Sequence, residues 1–483
     1  MNENDNNIKK ELRRGVFYTA IGKYSSLIAN FIVNMILSRI LSPRDYGIVA
    51  ALMVFMPFFL LLSELGVGPA IIQSRILNKF DLSSIFKVLT LFSLVLSAVF
   101  GFSGFFLVSF YHSTVYYGLA WAMAPILFFS IMAIVPMAIM QREQRFKELN
   151  LINFFAYTSG GLSGILAALS GLGYYALVFT NAVPAIMNFL WIYWKSDFHI
   201  KKGFSLQSYK KISSYSNNQL GFGLVNYFSR NLDNILVGRF LGPSALGFYN
   251  KSYQLLTYPN TVFTAVVTPV LQPVLANYID DVNAVRESYL KIIRILFLVG
   301  IPLSLFLCLN SRLVILFIFG NQWQPAILPF RIFTFSIWIQ IVISTTGSIF
   351  QAMNLPRLLL ILGGVNTLIT VSFIVIGIWL GNISTVALLV DLAYFINFFL
   401  TFSFLMKNAL AGSMSQLFNQ MWRPLISGVL PTLMDGLFLY LGVFASSVFL
   451  QTIASSVIFT SLWFASIFFT GDLKFIKRGL ISD

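Results

Sequence analysis

Apolar stretches of about eighteen or more residues recur from residue 16 to residue 470, separated by short polar segments. As a helix, each is long enough to cross a hydrocarbon core of about 30 Å. Lipid cannot satisfy backbone N–H and C=O groups, so closed helices are favoured there. The alternating strands of about 10 residues that a lipid-facing barrel needs are not in the pattern. The pattern predicts an all-α polytopic membrane protein of about fourteen helices. The first six cover about 16–41, 46–73, 85–110, 116–140, 149–169 and 173–194. The next six cover about 215–241, 246–275, 289–310, 326–351, 358–380 and 385–406. Two more cover about 422–444 and 448–470.

The polar breaks divide the chain. Residues 1–14 form a charged N-terminal segment, 15–194 a lobe of helices 1–6, and 195–214 a basic loop. Residues 215–407 form a second lobe of helices 7–12, and 408–483 hold helices 13 and 14 with the C-terminus. The first apolar run is longer than a signal-peptide core and lacks a small-residue cleavage pattern, so it reads as a retained membrane helix.

Composition agrees with this division: 57% of the 483 residues are hydrophobic and 10% charged, against roughly 25% charged in ordinary globular domains. Mean hydropathy is +0.80. A net charge of +15 would suggest nucleic acid in a soluble protein. Here the positions of the charges decide. Lys9, Lys10, Arg13, Arg14, Lys79, Arg142, Arg145 and Lys147 fall in alternate loops, as do Lys195, Lys201, Lys202, Lys210 and Lys211. By the positive-inside rule these loops and both termini are cytosolic. The charge is therefore mostly topology, and no nucleic-acid partner is expected. Cys308 is the one cysteine, so no intrachain disulfide can form. His112 and His199 stand far apart in loops, and no metal site can be built from that inventory.

A repeat joins the two lobes. Residues 37–50 read LSRILSPRDYGIVA, and 237–250 read VGRFLGPSALGFYN. Arg39, Leu41, Pro43 and Gly47 recur 200 residues later as Arg239, Leu241, Pro243 and Gly247, with Asn34/Asn234 and Pro69/Pro269 in the same register. Helices 1 and 2 thus correspond to helices 7 and 8. Six helices separate the copies, so both lobes enter the membrane in one orientation, related by a pseudo-two-fold axis along the membrane normal. At the turn, the arginine sits in the last helical turn beside unpaired carbonyls. The proline is expected to stop the helix, and the glycine to permit a tight entry into the next one.

Ionisable residues at membrane depth cost at least about 2.5–3.5 kcal/mol each and are functional candidates. Lys23 and Glu64 lie in helices 1 and 2, Arg230 and Asp233 in helix 7, Lys251 in helix 8, Asp391 in helix 12 and Asp435 in helix 13. Asn226, Arg230, Asp233 and Asn234 are three and four residues apart and share a helix face. Lys23, Asn30 and Asn34 give helix 1 a weaker counterpart. These faces point to a shared cavity of cationic character, suited to a phosphate-bearing or acidic-sugar substrate; an Arg230–Asp233 ion pair without ligand is the plainer reading. Glu64 and Asp391 are candidates to carry a coupling proton or sodium ion, or to pair with a lysine. No other cofactor is called for. Tyr227, Tyr249, Tyr253 and Tyr258 are candidates to stack on sugar rings, or interfacial anchors. Helix 5 carries Ala156, Gly160, Gly164 and Ala168, a small-residue ladder for close helix approach.

Three stretches carry a resemblance: NMILSRILSPRDYGIVAALMVFMPFFLLLSELGVGPAIIQ, GRFLGPSALGFYNKSYQLLTYP and LFIFGNQWQPAILPFRIF. They resemble the Wzx-type oligosaccharide-lipid flippases of the multidrug/oligosaccharidyl-lipid/polysaccharide exporter superfamily, in the branch of the colanic acid and teichuronic acid exporters. The resemblance covers nearly the whole chain. It implies two six-helix lobes around a cavity lined by helices 1, 2, 7 and 8, with two extra C-terminal helices. It also implies transfer of undecaprenyl-diphosphate-linked oligosaccharides between leaflets of a bacterial plasma membrane by alternating access, among membrane lipids and other polysaccharide-assembly proteins. Lys23, Arg230 and Lys251 match a cationic cavity by position. An ion-coupled drug exporter of the same superfamily is the alternative, although cationic drugs need an acidic cavity. An enzyme is not expected, because the longest outer segment, about 311–325, holds few acid or base groups.

Overall fold

The structure is a computed structural model. It describes residues 24–64, 67–74, 77–205, 227, 231–276, 281–442, 444 and 447–473, with only the backbone of 64, 265–270, 272–274 and 276. Chain contacts divide it into two compact units, Met1–Gly247 and Phe248–Asp483.

The first unit contains α1 (Tyr24–Ile40), then α2 (Pro43–Met53), α3 (Met56–Glu64), α4 (Val67–Gln73) and α5 (Lys79–Tyr111). These are followed by α6 (Val115–Met132), α7 (Ile134–Arg142), α8 (Phe146–Leu169), α9 (Tyr175–Lys195) and α10 (231–240). Helix α11 (Pro243–Ala276) begins at the unit boundary. The second unit continues with α12 (Val282–Leu309), α13 (Ser311–Ile318), a 3₁₀ turn (Asn321–Ala326), α14 (Ile327–Thr334), α15 (Ile337–Ile343) and α16 (Thr346–Ala352). It ends with α17 (Pro356–Trp379), α18 (Ile383–Phe404), α19 (Met414–Asn419), α20 (Trp422–Tyr440) and α21 (Val448–Phe469). No strand occurs among the described residues.

Among the described residues nine helices are long and apolar enough to cross a membrane, or ten if the pair bent by 50° between Thr334 and Ile337 is one span. The other predicted spans fall on α1, α10, α11 and α20, which is consistent with fourteen. Several predicted spans start late or are broken. Helix α5 begins at Lys79, ahead of the predicted 85, because Asn78 caps it: its Oδ1 accepts from the amides of Phe80 and Asp81 at 2.9 and 2.8 Å. Likewise Asp281 starts α12 early by accepting from the Ala284 amide at 3.0 Å. A polar cap extends a helix without adding an apolar residue, so hydropathy alone misses it. The predicted helix 2 is divided into α2, α3 and α4, and helix 4 into α6 and α7 at Ala133.

Small residues set the packing. Ala156, Gly160, Gly164 and Ala168 are all buried on α8. A methyl group at Gly160 would meet Pro184, and one at Gly164 would meet Thr180, so α9 lies directly on the expected ladder. Gly161 on the same helix receives Val33 of α1. In the second unit α17 and α18 are joined by amides: Asn366 Nδ2 donates to Thr401 Oγ1, and Asn397 Nδ2 to Thr370 Oγ1, each at 3.0 Å.

The repeated turn differs from expectation. Arg39 and Arg239 do lie in the last turns of α1 and α10, and Arg239 sits 5.3 Å from the Phe110 ring centre. Pro43, however, is the first residue of α2, behind an N-cap in which Ser42 and Asp45 bond reciprocally at 3.2 and 3.0 Å. Pro243 likewise opens α11, after Gly242 at φ +88°. The helices therefore start about one turn before the predicted 46 and 246, and Gly47 and Gly247 lie within them. Both glycines serve a helix crossing, as a Cβ at either position would fall on a backbone carbonyl of the other copy.

Candidate functional site

Each polar face is built on one helix. On α1, Ser26, Asn30, Asn34 and Ser38 recur every fourth residue. Asn30 Nδ2 donates to the Ser26 carbonyl at 3.0 Å, and Asn34 Nδ2 to that of Asn30 at 2.9 Å. Asn30 is exposed and Asn34 half-buried. These bonds use amide hydrogens that lipid could not satisfy, and they bend the polar groups along the helix rather than outward.

On α10, Asp233 and Asn234 are both buried. Asp233 Oδ1 accepts from the Asn234 amide at 2.7 Å and from its Nδ2 at 3.2 Å. Lys23, Asn226 and Arg230 lie outside the described residues, as does the side chain of Glu64.

In the second unit, Lys251 of α11 is 2% exposed. Its Nζ lies 5.2 Å from the Phe319 ring centre and donates to Gln254 Oε1 at 3.3 Å. Gln254 Nε2 then donates to Tyr258 Oη at 3.1 Å. Lys251, Gln254 and Tyr258 thus form one polar row with spacings of three and four. Sequence reasoning takes Lys251 and Tyr258 separately and misses Gln254, although the spacing holds the signal. The cation is set inside the unit, beneath the 319–326 segment, to which Ser252 is also tied by a 2.9 Å bond to the Ala326 carbonyl.

Asp391 of α18 is buried, with Ser336 close by. Its Oδ1 has no hydrogen-bond partner among the described residues, and no lysine there forms an ion pair with it. The aromatic candidates separate. Tyr249 is fully buried, stacked on Tyr253 at 6.2 Å and edge-on to Phe333 at 5.6 Å. It is a core residue with no face left for a sugar. Tyr253 Oη lies 3.0 Å from Tyr394 Oη, linking α11 to α18. Tyr227 is buried beside Phe58, at 6.1 Å between ring centres.

The described residues thus form a polytopic helical membrane bundle with charged and amide groups held along helix faces. The model of the family described as "Polysaccharide biosynthesis protein" matches residues 36–328, and the chain belongs to that family. It is 24% identical over 349 residues to the teichuronic acid biosynthesis protein TuaB of Bacillus subtilis (strain 168), covering 71% of this chain and 72% of that protein. It is 22% identical over 439 residues to the lipopolysaccharide biosynthesis protein WzxC of Escherichia coli (strain K12), covering 88% and 87%. Among solved structures, the lipid II flippase MurJ in an inward closed conformation shares the fold, with a TM-score of 0.74 at 18% identity over 94% of this chain and 99% of that one. A point mutant of the Vibrio cholerae MATE transporter VcmN is a more distant match, with a TM-score of 0.53 at 12% identity over 81% and 95%. The Wzx-type flippase resemblance read from the sequence is thereby supported.

Proposed function

We propose that the protein translocates a polyprenyl-diphosphate-linked oligosaccharide from the inner to the outer leaflet of a bacterial plasma membrane, for assembly of a surface polysaccharide. The observation that carries this reading is the MurJ-like fold in a chain of the polysaccharide biosynthesis family. The names of TuaB and WzxC, which refer to teichuronic acid and lipopolysaccharide biosynthesis, support a glycan cargo. Both termini are cytosolic in this reading, the lipid is undecaprenyl diphosphate, and other polysaccharide-assembly proteins receive the product.

Alternating access moves the headgroup, while the polyprenyl tail stays in lipid. A diphosphate carries negative charge through a low-dielectric region, and fixed cations lower that barrier. Lys23 and Arg230 supply them, with Asn30, Asn34, Asp233 and Asn234 offering hydrogen bonds to sugar hydroxyls. Lys251, almost fully buried in its own unit, contributes field rather than contact. Asp391 is the group for a coupling proton or sodium ion: a buried carboxylate oxygen without a partner favours either a proton or a cation. Glu64 is the second candidate.

The test is Lys23→Ala combined with Arg230→Ala. Loss of surface polysaccharide, with the protein at wild-type abundance in the membrane, is expected. Normal export from that variant would remove the cationic cavity from the mechanism.

A further inference from the structure

The C-terminal helix pair is fastened to α12 at three levels. Twelve residues into α12, Arg294 forms an ion pair with Asp472, just beyond α21. Midway, Gly428 of α20 packs on Pro302 and Leu305 of α12, and Ser466 of α21 donates to the Ser427 carbonyl at 2.9 Å. At the far end stands a cluster with no place in the proposed transport route: Asp435 of α20, Ser455 of α21 and Asn310, which follows α12. All three are almost completely buried.

Three short contacts close this cluster into a ring. Asn310 Nδ2 lies 2.7 Å from Asp435 Oδ2, Ser455 Oγ lies 2.6 Å from Asp435 Oδ1, and Ser455 Oγ lies 2.9 Å from Asn310 Oδ1. Each contact needs one proton between its heavy atoms. The serine hydroxyl has one proton to give. The asparagine amide gives one into the ring, since its second N–H reaches the Phe306 carbonyl at 3.1 Å. Two protons cannot fill three contacts. With an ionised carboxylate, two oxygens would face each other at 2.6 or 2.9 Å with nothing between them. Reversing the Asn310 amide moves the deficit to another side of the ring without removing it. No cation among the described residues forms an ion pair with Asp435.

We infer that Asp435 is held as a neutral carboxylic acid, which closes a ring of three hydrogen bonds with Ser455 and Asn310 and pins the C-terminal helix pair to α12 without carrying a transported ion. The acid proton sits on Oδ1 and is donated to Ser455 Oγ. Ser455 donates to Asn310 Oδ1, and Asn310 donates back to Asp435 Oδ2. Every ring contact then has one proton, and no charge is buried. The helix pair accordingly moves with α12 as one body.

The ring separates two substitutions. Asp435→Asn keeps three protons for three contacts, because its amide donates to Ser455 and its oxygen accepts from Asn310. Asp435→Leu strands both partners in a dry interior. In purified protein in lipid nanodiscs, Asp435→Asn is expected to melt like wild type, and Asp435→Leu clearly lower. The wild-type infrared spectrum at neutral pH is expected to contain a protonated-carboxyl stretch that shifts with ¹³C-aspartate and is missing in Asp435→Asn. An unfolding midpoint of Asp435→Asn as low as that of Asp435→Leu would overturn the inference. So would a spectrum unchanged between wild type and Asp435→Asn. Neither readout depends on what the protein transports.

Discussion

Gly47 and Gly247, 200 residues apart in the chain, meet at one helix crossing. A Cβ on Gly47 would fall on the Pro243 carbonyl and stand 3.1 Å from the Gly247 amide nitrogen. One on Gly247 would fall on the Pro43 carbonyl and stand 3.3 Å from the Gly47 amide nitrogen. The contact is reciprocal, as a local two-fold relation between repeated segments requires. At the repeated turn the two copies thus pack on each other.

Gly47→Ala and Gly247→Ala should therefore each destabilise the protein, by about 1–3 kcal/mol for overpacking against backbone that has no rotamer to change. The double variant should be less destabilised than the sum, because the first methyl already separates the two helices. Thermal unfolding of the purified single and double variants measures both.

Gln254 bridges Lys251 and Tyr258. Gln254→Leu should lower stability by about 1.5–3 kcal/mol, the range for hydrogen bonds to charged groups. Gln254→Glu should keep the donor–acceptor row largely intact, since it retains an acceptor for the Lys251 ammonium and the Tyr258 hydroxyl can donate to it. Unfolding midpoints of the two variants, read beside surface polysaccharide in cells, test this order.

The amide rungs between α17 and α18 should behave as membrane hydrogen bonds do. Asn397→Leu removes the bond to Thr370 and should cost about 0.6–1.7 kcal/mol, leaving export intact. A steric-trap or thermal-shift measurement in bilayers checks the magnitude.

The legible part of the sequence is its long-range order. Long apolar runs mark the spans because lipid admits little else, and the register of Arg39 with Arg239 locates the corresponding helices. Polar caps such as Asn78 and Asp281 escape a hydropathy reading because they lengthen helices without adding hydrophobicity. Pro43 reads as a stop because proline ends one helix as readily as it begins another. The function of Gly47 depends on a partner 200 residues away, which no local pattern states. Candidate site residues are visible as charges at membrane depth. Whether such a charge is bridged within its unit, as Lys251 is by Gln254, depends on packing. The ring around Asp435 needs three segments brought together and is illegible for the same reason.

The most direct test of lipid-linked oligosaccharide translocation is to deplete the protein and measure how the lipid-linked oligosaccharide divides between the two leaflets. Accumulation of a complete repeat unit on the inner leaflet, reversed when the protein is restored, is the expected result. Depletion with no inner-leaflet accumulation and undiminished surface polysaccharide would contradict it.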